Sequence, residues 1–479
     1  MLSRRDFLMS STAFAGMGMF SPSLWAAMKY DRNAVLDLFR LRAADTDARV
    51  KAGIEANRKG SWLFSFVGKN GEALENVHVR LRQMAHDFRY GADLFMLDEI
   101  VDSKVKNEEY KARFAEAFNL ATCPFYWTGL EPEEGKVRYA KDSPRIYRRP
   151  TPDLCIEWCE RNGIEPKSHI LNYSSQTPEW AVGDVDREKR LLVKRLRELS
   201  ERYAHRVRMW EVTNETLWGA NFTSNTTGNL YHQDDLIEWS FKTAERFFPA
   251  NRLIINEAHC RIWNDAWFQR NRSPYYMQIE RALLKGARID AIGLQFHMFH
   301  GNAEKRAHIA NMAKTYYDPQ RLFDVLETYA SLGKPLQITE ITIPAYSNDP
   351  GDEAVQAEIL RELYRIWFSV RGMEAIIYWN LPDGYAHAAE PGDFTQGENI
   401  YYGGLCRFDM TPKPAYHVVK DLFEKEWRTN VDAEAAGRYV FRGFYGTYDA
   451  EFTSKGHTIR RKIKLGRETL PNMTITLPV

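Results

Sequence analysis

Cysteine is scarce in this chain. Five thiols in 479 residues, an odd number, do not make a disulfide framework in a protein this long. Cys155 and Cys159 sit at i,i+4 on a predicted helix with no histidine pair at zinc-ligand spacing. Cys123, Cys260 and Cys406 are scattered, so the thiols are expected to be packing groups, with no metal site among them. Neither sign of charge dominates: 65 basic against 64 acidic residues leave a net +1, which excludes an electrostatic case for nucleic acid or an anionic membrane as partner. Internal repeats and low-complexity stretches are missing. So are long apolar runs, apart from Ser11 to Ala27, which is too short and too rich in small residues to cross a bilayer.

What is present begins with an address. Ser3-Arg4-Arg5-Asp6-Phe7-Leu8 ahead of that run resembles a twin-arginine export signal over residues 1–27, implying a periplasmic or secreted protein with no membrane insertion after cleavage. Residues 28–59 read as a charged helical segment, with Val35, Leu38, Phe39 and the stem of Arg42 on one stripe. From 60 to 87 the pattern becomes period two: Trp62, Phe64 and Phe66, a Lys69-Asn70-Gly71 turn, then Val77, Val79 and Leu81. Residues 436–479 repeat it, with Tyr439, Phe441, Phe444, Tyr448 and Phe452. Neither piece can bury a core alone, so both ends are expected to join in one small accessory β-sandwich.

Between them, over 88–427, strand-like and helix-like segments alternate. The predicted strands are 88–92, 120–127, 165–173, 207–215, 252–257, 289–298, 335–341 and 374–380. Helical stretches such as 186–204, 234–248, 275–285, 318–332 and 353–370 separate them. Eight such repeats predict an α/β fold, a closed (β/α)8 TIM barrel. Two of the strands, Trp210-Glu211-Val212-Thr213-Asn214-Glu215 and Leu336-Gln337-Ile338-Thr339-Glu340, end in carboxylates, and catalytic groups of such barrels sit at carboxyl ends of strands. Two carboxylates so delivered are the equipment for cleaving a glycosidic bond with retention. That chemistry makes Glu340 the nucleophile, ionised at rest, and Glu215 the general acid and later base. Asn214 is placed to bind a sugar 2-hydroxyl, His297 and Gln295 to support Glu340, and Trp379 to floor the site. Asn256-Glu257 reads as support behind them. His297 with His300 lacks a third ligand for a metal, and the reaction needs no cofactor.

These residues resemble glycoside hydrolase family 10, mainly endo-β-1,4-xylanases, over roughly 88–425. Gly293-Leu294-Gln295-Phe296-His297, Ser168-His169, Ser175-Gln176-Thr177-Pro178-Glu179-Trp180, Tyr378-Trp379 and Pro412-Lys413-Pro414-Ala415-Tyr416 carry the resemblance together with the two Glu strands. It implies substrate contacts at His169, Tyr173, Gln176 and Trp180, and a polysaccharide or oligosaccharide partner. The family's Asn-Glu-x-Lys run is replaced by Cys123-Pro124-Phe125-Tyr126, its Trp-His by Tyr173-Ser174, and its Ser-Trp by Ala386-His387. Sugar-hydroxyl ligands are thereby lost, and Phe125, Tyr126 and Tyr173 point to a more aromatic cleft. The expected activity is a retaining β-glycosidase, with endo-β-1,4-xylanase as its named form. The alternatives are a hydrolase or transglycosylase for another β-linked glycan, and a non-catalytic carbohydrate-binding barrel whose small β-domain is the binding module.

Overall fold

The structure, a computed structural model, describes residues 31–217, 229–302 and 304–479; the export-signal reading at 1–27 therefore lies outside the described residues. Among these, no helix is long and apolar enough to cross a membrane. Strands β1 (Lys59–Val67) and β2 (Val77–His86) come first. The barrel strands follow: β3 (Arg89–Asp93), β4 (Leu120–Pro124), β5 (Glu165–His169), β6 (Met209–Asn214), β7 (Arg252–Glu257), β8 (Ala291–His297), β9 (Leu336–Thr342) and β10 (Met373–Tyr378). They pair in parallel and in chain order, and β10 closes on β3. β6, β8 and β9 are buried along their whole lengths. A barrel strand is covered on one face by helices and on the other by the barrel interior; apolar residues fill much of both faces, and the interior also takes the buried polar Glu211, Thr213, Gln337 and Thr339.

The helices between them are amphipathic in the expected way. Val185–Tyr203 is capped by the Asp184 carboxylate, which accepts from the Arg187 amide at 2.9 Å. It buries Leu192, Leu196, Leu199 and Tyr203 along one stripe. Two predicted strands overran their ends. The segment drawn to Trp127 stops at Pro124, and Trp127–Leu130 is a short helix. The segment drawn to Tyr173 stops at His169, and Ser174–Gln176 is a 3-10 turn. Apolar side chains beyond a strand end bury against loops just as well as against a sheet, so hydrophobicity alone cannot locate the end.

The strands that precede the barrel pair with those that follow it. β11 (Asn430–Ala435), β12 (Arg438–Phe444), β13 (Gly446–Ser454), β14 (His457–Leu465) and β15 (Asn472–Thr476) join β1 and β2 in two sheets. Their orders are β12-β1-β15 and β11-β2-β13-β14. Trp62, Phe64, Phe66, Val79, Phe441, Tyr448 and Phe452 form a core between the sheets, separate from that of the barrel. The accessory strands begin at Asn430, earlier than the 436 read from aromatic alternation, because β11 (Asn-Val-Asp-Ala-Glu-Ala) carries small residues where the others carry rings. The outward face of the four-stranded sheet is ionic: Arg80 meets Asp432 at 3.0 Å, Arg460 meets Glu451 at 2.7 Å and Arg82 meets Asp449 at 3.6 Å. Trp62, Phe64, Phe66, Phe441, Tyr448 and Phe452 turn their rings inward between the sheets, while Tyr439 and Tyr445 stay partly exposed.

Within the barrel, polarity changes along the axis. A small cluster of Leu120, Met209, Ile254, Ala291, Ala375 and Ile377 fills the amino-terminal end. One step further on, the fully buried Lys167 and His169 both bind the Glu211 carboxylate. Burial disfavours the charge on Glu211, but Lys167 and His169 outweigh it and hold the carboxyl well below its ordinary range. Burial likewise opposes a charged His169, and Glu211 then Glu340 override it, raising the imidazole above its ordinary value. Glu211→Gln strands two buried cationic groups. It is expected to destabilise the protein by about 3–5 kcal/mol, read from urea unfolding midpoints. A loss below about 1 kcal/mol would show the cluster to be solvated.

Candidate active site

Register shifts bring the strand ends together. Pairing of β8 with β9 slips between Leu294 and Gln295, so that Gln295 stands opposite Glu340 and His297 opposite Thr342. Pairing of β6 with β7 slips between Glu211 and Thr213, setting Asn214 opposite Asn256. A one-residue slip reverses which face a side chain occupies, and the extra residues, Val212 in β6 and Thr339 in β9, turn Asn214 and Glu340 toward the axis, where Gln295 already points by the regular alternation of β8. Gly293 makes room: a β-carbon there would lie 2.5 Å from Asn256 Oδ1 and 2.8 Å from the Ile255 carbonyl oxygen.

Glu340, only 4% exposed, sits in a cage of donors. Asn256 Nδ2 donates to its Oε1 at 2.8 Å, Gln295 Nε2 approaches the same oxygen at 3.1 Å, and His297 Nε2 is 3.1 Å from Oε2. His297 Nδ1 lies 2.9 Å from Thr342 Oγ1. An ionised carboxylate only accepts, so Nε2 carries the imidazole hydrogen and Nδ1 receives the threonine hydroxyl. Three converging donors suit an anion held ready to attack.

Glu215 follows β6 with φ +51°, a left-handed conformation uncommon outside glycine and costing on the order of 1–3 kcal/mol. The Tyr173 hydroxyl donates to its Oε2 at 2.6 Å. Burial, then the Glu215 charge, push the Tyr173 phenol well above its ordinary value, so it stays a donor. Gln295 Nε2 lies 3.0 Å from Glu215 Oε1 as well as 3.1 Å from Glu340 Oε1. One nitrogen touching both carboxylates keeps those oxygens within about 6 Å, compatible with the separation of a retaining pair.

Asn214 accepts from Asn256 Nδ2 at 2.8 Å through Oδ1, which leaves its own Nδ2 hydrogens for the cavity. Glu215, Glu340, Asn214, His169, Tyr173, Gln176, His297 and Trp379 all line one cavity of about 300 Å³, together with Phe95, Tyr126, Phe299, Arg148, Arg149, His387 and Glu398. Trp379 packs edge-on to Phe95 at 5.1 Å and His297 at 5.8 Å. Gln295 lies beneath this surface as the bridge between the two carboxylates.

Two sequence expectations fail here. Trp180 is not in the cavity: its indole donates to the Glu131 carbonyl oxygen at 3.0 Å and packs edge-on to Trp127 at 5.7 Å, so it closes the loop behind the wall. Phe125 is not in the cleft either. It is fully buried between Tyr203 and Trp210, because side chains alternate along an extended segment and Tyr126 takes the inward place. Asn256 has the supporting place expected of it, holding both Asn214 and Glu340 from behind the cavity lining. Its signal was the Asn-Glu ending of β7, shared with β6. The Arg148-Arg149 pair gave no warning, lying on a long loop with no periodicity.

Among the described residues, His169, Glu211 and Glu340 are close enough to share an ion. The Lys167 ammonium already serves as counter-ion to Glu211, so the donor set is better matched to hydrogen bonding than to a divalent cation. Glu257, fully buried beside the site, accepts from the amides of Ala258 at 2.8 Å and Leu217 at 3.0 Å. Burial still prevails and pushes its carboxyl up to about 8.

Comparison with known proteins agrees with this geometry. A model described as glycosyl hydrolase family 10 matches residues 90–422. Endo-1,4-beta-xylanase 1 of Arabidopsis thaliana is 23% identical over 427 residues, covering 87% of this chain and 39% of its own. The chain thus spans well under half of that relative's length. Endo-1,4-beta-xylanase B of Thermotoga neapolitana is 24% identical, covering 67% of this chain and 84% of its own. Among solved structures, xylanase 10B of Thermotoga petrophila in complex with xylobiose shares the fold with a TM-score of 0.52 at 22% identity, over 71% of this chain and 95% of that one.

Proposed function

Since the chain belongs to glycosyl hydrolase family 10, we propose that it is a retaining β-glycosidase acting on a polysaccharide, with β-1,4-xylan the first backbone to test. The observation that carries this is the single Gln295 amide in contact with both Glu215 and Glu340. In the first step Glu340 attacks the anomeric carbon while Glu215 gives its proton to the departing glycosidic oxygen. In the second, Glu215 takes a proton from water, which displaces Glu340 and restores the β configuration. Asn214 offers its amide hydrogens to the 2-hydroxyl, a contact that strengthens as positive charge develops on the ring. The buried Lys167-Glu211-His169 cluster lies beneath Glu340, with His169 Nδ1 4.0 Å from its Oε1.

The two relatives described above are named as endo-1,4-beta-xylanases, which favours xylan. The aromatic lining of Phe95, Tyr126, Phe299 and Trp379, in place of hydroxyl ligands, favours a more decorated chain. Proton NMR of the first product released from β-linked oligosaccharides tests the mechanism. The β anomer is expected to appear before mutarotation; an initial α anomer would mean inversion and end the proposal. Digestion of a panel of plant and algal polysaccharides by the same preparation is expected to identify the backbone.

A further inference from the structure

Besides its three glutamates, Glu215, Glu340 and Glu398, the cleft carries two arginines that hydrolysis of a neutral sugar does not require. Arg148 and Arg149 both line it, and both also line the adjoining depression bounded by Tyr147, His387 and Gln396. Arg148 has φ +58°, an uncommon conformation that turns the chain between two consecutive arginines. It is 4% exposed and spends one nitrogen on Asn380 Oδ1 at 2.7 Å and on the Tyr385 carbonyl. Its Nε has no hydrogen-bond partner. Its acidic neighbour is Asp93 at 3.7 Å.

Arg149 is the less committed of the two. Its guanidinium carbon lies 4.0 Å from the Tyr126 ring centroid and 5.7 Å from that of Phe95. Of its five donors, one is used, on the Arg148 carbonyl oxygen at 3.0 Å. Among the described residues no carboxylate forms an ion pair with it. The groups that act on it most, after burial, are Tyr126, Arg148, Asp93 and Glu99, and not Glu215 or Glu340. Other buried arginines behave differently. Arg195 aims its donors at the carbonyls of Phe125, Leu171 and Ile170, Arg138 at those of Gly129, Pro144 and Arg149, and Arg58 at those of Phe368 and Val370. Those arginines are structural. Arg149 is flattened on an aromatic wall with its fork of donors unspent, the arrangement that suits bidentate capture of a planar or tetrahedral oxyanion.

We propose that Arg149, with Arg148 beside it, forms an oxyanion subsite of the cleft, which takes a carboxylate or sulfate group carried by the glycan. This rests on the glycosidase reading above and narrows its substrate class to acidic polysaccharides, those with uronic-acid or sulfate-ester substituents. The stacked guanidinium places the anion on the Tyr126 and Phe95 side, and the catalytic carboxylates keep their own donors. Arg149 is thus a specificity residue and takes no part in proton transfer.

The test compares wild type, Arg149→Met and Arg149→Lys on matched β-linked oligosaccharides that are neutral, uronic-acid-bearing or sulfated. Wild type is expected to favour one acidic series over the neutral one by about tenfold or more in kcat/KM, and that series identifies the oxyanion. Arg149→Met is expected to reduce the acidic-to-neutral ratio by at least about tenfold, and Arg149→Lys to recover part of it. The wild-type preference should shrink as salt is raised. A wild type without acidic preference, or a ratio unchanged in Arg149→Met, overturns the subsite. Calorimetric binding of the same oligosaccharides separates the two readings. Acidic ligands that bind wild type, bind Arg149→Met at least about tenfold more weakly, and are never cleaved would sustain the subsite and refute the hydrolase. Equal affinity of the two proteins for the acidic ligand, or no affinity in either, would refute the subsite.

Discussion

Glu340→Ala is expected to lower kcat by about 10⁴-fold or more on every β-glycoside the protein cleaves, a loss of at least ~5.5 kcal/mol of transition-state stabilisation. The magnitude follows from covalent catalysis: without the carboxylate no glycosyl-enzyme forms, and water would have to attack from the space the side chain occupied. That same space makes the experiment sharp. Azide fits the vacated volume and would attack the anomeric carbon from the Glu340 side, giving an α-glycosyl azide and restoring part of the rate. Asn256, Gln295 and His297 converge on the carboxylate oxygens and remain to receive the anion. A variant with near-native kcat would remove the nucleophile assignment. Rescue that gave a β-azide would place the missing group on the opposite side of the sugar.

Glu215→Ala is expected to behave differently, with an effect set by the leaving group. For a poorly acidic leaving alcohol the loss should be about 10²–10⁴-fold, the usual worth of a positioned general acid. A dinitrophenyl glycoside departs without a proton, so the first step should be nearly spared and the glycosyl-enzyme should accumulate as a burst. Azide would then discharge it with a second inversion to a β-glycosyl azide, the opposite anomer to that from Glu340→Ala. The basic limb of the pH–rate profile should also vanish, since it reports loss of the acid's proton. Equal losses on all leaving groups would show that Glu215 acts by position or charge alone. Tyr173, whose hydroxyl holds Glu215 Oε2 at 2.6 Å, would then be the next residue to examine.

The barrel was legible because most of its strands are short, apolar-rich segments set between helices that carry one apolar stripe, and the two patterns alternate along the chain. The accessory sheets were legible for the complementary reason: Phe64 and Phe66, or Tyr448 and Phe452, alternate with polar residues that face solvent. The carboxylates Glu215, just past β6, and Glu340, near the end of β9, pointed to the chemistry, since a charged residue at the end of a buried strand is costly unless it has work or a partner there. Trp180 and Phe125 misled, because an aromatic residue on a loop carries no mark of whether it faces a cavity or the packing behind it. Asn256 was legible as support from the Asn-Glu ending of β7, but which two groups it holds, Asn214 and Glu340, depends on strands far apart in sequence.

By itself, then, the order of residues determined which segments become strands and helices, that the alternating segments before and after the barrel share a sheet pair, and which two glutamates stand near the carboxyl ends of buried strands. These are matters of local period and burial energy, which neighbours along the chain express. Only the tertiary structure decided that slipped register turns Asn214 and Glu340 inward, that Lys167 and His169 bury charge against Glu211, and that Arg149 stands in the cleft with donors to spare. Each of those depends on groups tens or hundreds of residues apart reaching hydrogen-bond distance, and such distances are set by barrel closure and loop packing rather than by any stretch of sequence read alone.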